Sequence, residues 1–162
     1  MVKKADFTPG EWKKLIQAPL LAGFALTAAD PSGFVGTLQE AFSNARSLAE
    51  AKTSGSGLIK AVAEEILTST GRAEAREGIR TIVQGAKLEE IKGRALEALK
   101  ETAAMIDNKA PGEANAFKAW LMQIAQKVAE AGTEGGFMGF GGVKVSDAEK
   151  ATISEISKIL NV

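Results

Sequence analysis

A chain of 162 residues, 45% hydrophobic and only 6% aromatic, is long enough to bury one core of Ala, Leu, Ile and Val, so a single domain over 1–162 is expected. Its 20 basic residues balance 20 acidic ones, which leaves no overall field to gather a polyanion and makes nucleic acid an unexpected partner. The absence of His and Cys removes disulfides, thiolate nucleophiles, Ser-His-Asp catalysis, Cys/His zinc sites and di-iron Glu-x-x-His ligation, leaving carboxylate, Lys, hydroxyl and backbone chemistry and oxygen ligation of a hard cation.

The opening "MVKKADFTPGEWKK" is charged and is not followed by an apolar core of secretory type, so a cytoplasmic location is expected. Thr8 as N-cap, Pro9 at the first helical position and Glu11 at the third predict a helix start closed by a capping box. Trp12, Leu15 and Ile16 then share one face. Pro19 predicts a break or a kink, giving a short helix over 9–17 and a second over 19–29. The second is apolar nearly all round, which marks a central helix. Its apolar run is far shorter than the roughly 20 residues a bilayer span needs, so no transmembrane segment is expected.

Asp30 and Pro31 repeat the start signal for a helix to about Ala51, with Phe34, Leu38, Phe42, Ala45 and Leu48 inward. "KTSGSG" reads as a linker. Leu58, Ile59, Val62 and Ile66 form the next stripe, which "TSTGR" is expected to end. Ala75, Ile79, Ile82 and Val83 mark a further helix stopped by Gly85. On that helix Arg72, Arg76 and Arg80 stand four apart, but Glu74 and Glu77 beside them favour a solvated mixed-charge face over an anion-binding stripe.

Leu88, Ile91, Ala95, Leu99, Ala103 and Ile106 keep helical spacing over 87–109, with Glu90 and Arg94 four apart on the outside. "NKAPGEA" ends that helix and begins another, whose buried stripe is Phe117, Trp120, Leu121, Ile124 and Val128. Ser146 and Glu149 form a second capping box before Ile153, Ile156 and Leu160. No segment alternates with the period of a strand. The expected fold is all-α, a single-domain multi-helix bundle of about seven helices with one Gly-rich loop before the C-terminal helix.

That loop, "GGFMGFGGVKV", interleaves Gly135, Gly136, Gly139, Gly141 and Gly142 with Phe137, Met138 and Phe140. A phosphate-binding loop needs Lys and Ser/Thr where Gly142 and Val143 stand, and a dinucleotide fingerprint needs a preceding strand. Two readings stay open. The large side chains fold onto the core, the ordinary fate of Phe, or they form an apolar hook for a partner. Nearby Glu130, Glu134, Asp147 and Glu149 offer oxygen ligands for Ca²⁺ or Mg²⁺, although the EF-hand pattern is absent.

At "FTPGEWKKLIQAPLLAGFALTAADPSG", "NAFKAWLMQIAQKVAEA" and "EGGFMGFGGVKVSDAEKATISEISKIL" the chain resembles a bacterial family of uncharacterised proteins of similar length, a resemblance that implies no activity. "AAD" at 28–30 and "VSDAE" at 145–149 are also similar to parts of the tellurite-resistance TerB-like helical proteins. This second resemblance implies acidic cation binding and carries over only to Asp30, Glu134 and Glu149, with Glu134-Gly135 standing where that family has Asp-Gly.

The expected function is that of a non-enzymatic cytoplasmic interaction or accessory protein, with no cofactor and with a protein partner or a second copy of itself. Phe137, Met138 and Phe140 are the expected contact residues. A TerB-like divalent-cation-binding stress protein is the alternative, and a small-ligand carrier with a pocket near Trp120 is the third.

Overall fold

The computed structural model describes residues 2–29, 50–51, 57–134 and 145–162, the side chains at 29, 88 and 131–134 excepted. After a 3-10 turn over Lys4–Asp6, the described residues form six α-helices: α1 Pro9–Ala29, α2 Gly57–Ile66, α3 Ser69–Val83, α4 Leu88–Lys109, α5 Pro111–Glu134 and α6 Asp147–Leu160. None of the described residues lies in a strand, so the all-α class holds. The count falls short of the expected seven or so, and most of the helix expected over 31–51 lies outside the described residues.

Pro19 does not divide the first helix. Thr8 and Glu11 start α1 as expected, the Thr8 amide donating to Glu11 Oε2 at 2.8 Å and the Glu11 amide to Thr8 Oγ1 at 3.3 Å. The helix then runs unbroken to Ala29 with Pro19 inside it. A proline removes one backbone donor and crowds the preceding turn. Here packing outweighs that cost, because Ala18, Leu21, Ala22, Ala25 and Leu26 are all buried and α1 touches every other described helix. The nearly all-round apolar character read from 19–29 is that of the central element.

Around α1 the expected stripes face inward. Leu58, Val62, Leu99, Ile106, Phe117, Leu121, Ile156 and Leu160 are fully buried. Val83 is the exception at 37% exposed, since it closes α3 just before the turn at Gly85, whose φ of 66° is left-handed. Lys14–Glu101 at 2.9 Å and Glu11–Lys109 at 2.8 Å pair ascending positions on α1 with descending ones on α4, so the two helices run antiparallel.

The residues expected to end α2 begin α3 instead. Thr68 caps α3, its hydroxyl accepting from the Gly71 amide at 2.9 Å, and Ser69 to Arg72 form the first turn. Gly71 therefore acts by size: a Cβ there would stand 1.9 Å from the Glu65 carbonyl oxygen. The α2–α3 corner can be this tight only around a residue without a side chain. At the α4–α5 corner, within the expected boundary, Pro111 takes the first position of α5, after the Ala110 amide has donated to the Ile106 carbonyl at 2.8 Å.

Candidate functional site

Phe137, Met138 and Phe140 lie outside the described residues, as does Asp30. Glu134 closes α5, with its side chain beyond description. Glu149 is described, and its carboxylate works locally: it accepts from the Ser146 amide at 2.7 Å while the Glu149 amide donates to Ser146 Oγ at 3.1 Å. This is the second expected capping box. Asp147 is exposed and stands 3.4 Å from Lys150. Among the described residues no three carboxylates converge as a metal site would require.

The arginine edge of α3 behaves as a solvated face. Arg72 donates to the Leu67 carbonyl at 2.9 Å, covering an orphan acceptor just beyond α2, and Arg80 pairs with Glu77 at 3.2 Å. Trp120 is buried and packs edge-on against Phe117, ring centroids 5.4 Å apart.

Charged side chains also make tertiary contacts around the α4–α5 corner, which sequence reasoning treated only as a boundary. Three side chains there reach other parts of the chain. Lys109, in the last turn of α4, meets Glu11 in the first turn of α1. The Lys109 ammonium, followed by the Thr8 amide, lowers the Glu11 carboxyl from 4.5 to about 2. Each charge also complements the dipole of its own helix end, Glu11 at an N-terminus and Lys109 at a C-terminus.

Glu113, in the first turn of α5, accepts from two backbone amides: Val2 at 3.1 Å on Oε1 and Leu58 at 2.5 Å on Oε2. Leu58 belongs to the first turn of α2, where amides have no acceptor within the helix. Glu113 is thus a cap supplied from a distant helix. Lys118, one turn further along α5, is 3% exposed and donates from Nζ to Asp107 Oδ1 at 2.8 Å. Its aliphatic stem lies inside while its ammonium reaches the half-exposed carboxylate on α4.

These groups were missed because their partners are distant in sequence: 98 positions for Lys109 and Glu11, 111 and 55 for the Val2 and Leu58 amides on Glu113. The available hint was local. Glu113 stands three residues after Ala110, as a capping residue would, and the Ala110 carbonyl accepts from its amide at 2.9 Å, but its carboxylate serves other segments. The corner binds helix ends to one another. Lys118 is too enclosed to meet a substrate, and Glu11 and Glu113 are engaged as acceptors.

No described helix is long and apolar enough to cross a membrane. No family model matches the chain, and no match is found among curated proteins or solved structures.

Proposed function

We propose that this chain is a non-enzymatic cytoplasmic interaction protein whose helices form a scaffold and whose contact residues are Phe137, Met138 and Phe140, with a second copy of the chain as partner. The observation that carries this reading is the composition of the stretch between α5, which closes at Glu134, and α6, which opens at Asp147: it carries two Phe and a Met among glycines.

Aromatic residues and Met are enriched where proteins meet. Zero formal net charge places little electrostatic repulsion between copies of the chain. The Ser146–Glu149 box fixes the start of α6 by local contacts.

The test is the triple substitution Phe137→Ser, Met138→Ser, Phe140→Ser. Contact residues lost from a surface leave the melting temperature of the protomer within a few degrees, a change below about 1 kcal/mol. Truncating three buried side chains instead lowers stability by several kcal/mol, roughly 2–5 for each, and that result contradicts the proposal.

A further inference from the structure

The segment before α1 lies over Trp12, and its apolar side chains Val2 and Phe7 pack against the core. Phe7 is buried with its ring 5.9 Å from that of Trp12, tilted by 47°. Lys4 places Nζ 5.6 Å from the centre of the Trp12 ring and pairs with Glu65 on α2 at 2.9 Å. The Lys4 side chain is 60% exposed, and ion pairs that open to water hold weakly. Among the described residues, the backbone of this segment makes one long-range hydrogen bond, from the Val2 amide to Glu113.

Beneath this cover, the Trp12 indole N–H is buried and has no acceptor among the described residues. A desolvated donor without a partner is unfavourable, and any opening that admits water or another acceptor relieves it. The closed arrangement therefore carries a local term that favours release.

We propose that residues 2–7 form a releasable strap over Trp12, and that Glu113 couples its release to the first turn of α2. The carboxylate stands between two amides, each on its own oxygen, from segments otherwise remote in sequence. While both donors are in place they hold the carboxylate plane for each other. When Val2 leaves, the Glu113 side chain loses one of the contacts that orient it toward Leu58, and the first turn of α2 loses part of its cap. When that turn opens, the strap loses the same orientation.

Hydrogen exchange followed by NMR on the intact chain tests this. In the wild type, the Trp12 indole N–H exchanges through local opening, roughly 10-fold or more faster than the Leu99 amide in the core of α4. Glu113→Gln leaves one acceptor oxygen for two donors, and speeds exchange of both the Trp12 indole and the Leu58 amide while the Leu99 rate stays fixed. Val2→Pro removes only the strap's donor, and speeds the same pair. It also decides the matter if Glu113→Gln does not fold. Exchange of the Trp12 indole at the Leu99 rate overturns the strap. Acceleration of one member of the pair without the other in Val2→Pro overturns the coupling.

Discussion

Glu11 Oε2 and Lys109 Nζ stand 2.8 Å apart, joining the first turn of α1 to the last turn of α4. The same Glu11 oxygen accepts from the Thr8 amide at 2.8 Å, so one carboxylate caps its own helix and ties it to a neighbour. Lys109, then Thr8, hold its carboxyl near 2 against an ordinary 4.5. A carboxyl lowered on folding stabilises the fold fully above its unfolded value and loses that contribution as pH falls toward the folded one. Wild type should therefore melt above Glu11→Gln at pH 7, and the two curves should converge between about 4.5 and about 2. Salt should narrow the gap at pH 7, because the pair is partly open to water. Thermal melts across that pH range check both.

Gly71→Ala should open the α2–α3 corner, since its Cβ meets backbone atoms of Glu65 at 1.9 and 2.5 Å rather than a movable side chain. A loss of roughly 1–3 kcal/mol or more is expected in urea denaturation. Gly93→Ala supplies the contrast. That site is exposed within α4 and its Cβ would meet nothing within 4 Å, so the substitution should stabilise by about 0.5–1 kcal/mol.

Lys118→Met keeps the buried stem of Lys118 and removes the charge, and should change stability by less than about 1 kcal/mol in either direction. Asp107→Ala leaves the enclosed ammonium without its carboxylate. Because Asp107 is half exposed, the expected loss is about 1–2 kcal/mol, below that of a fully buried pair. Denaturation of the two variants side by side separates packing from charge. A larger loss from Lys118→Met than from Asp107→Ala would show that the ammonium does more than pair with Asp107, and would contradict this account.

Titration with Ca²⁺, Mg²⁺ and Mn²⁺ should give no binding heat and no rise in melting temperature. The thermal assay is sensitive, because a ligand at 100 times its Kd stabilises by about 2.7 kcal/mol. A saturable shift abolished by Glu149→Gln would favour the cation-binding alternative built on Asp30, Glu134 and Glu149. Ser146 and Glu149 would then have to exchange their cap for a metal ion.

What could be read from the residues alone was what depends on near neighbours. The inward stripes of α4 and α5 follow from 3.6-residue spacing, and both capping boxes follow from Ser or Thr set three residues before Glu. Pro19 was misread because its local cost is real, while the packing that overrides it comes from helices elsewhere in the chain. Gly71 lies in the stretch expected to end a helix and is a contact point, a distinction made by the Glu65 carbonyl across the corner. Glu113 and Lys118 carried no periodic signal for their partners. Local chemistry located the helix ends, and only the fold could say which ends meet.

The central claim is that Phe137, Met138 and Phe140 join one copy of this chain to another. Sedimentation equilibrium over a rising concentration series tests it most directly. Wild type should move from a mass near 16.9 kDa toward a multiple of it, while Phe137→Ser, Met138→Ser, Phe140→Ser stays at 16.9 kDa and keeps its helical circular dichroism. A wild-type chain that remains at 16.9 kDa throughout, or a triple variant that associates as wild type does, would contradict the account.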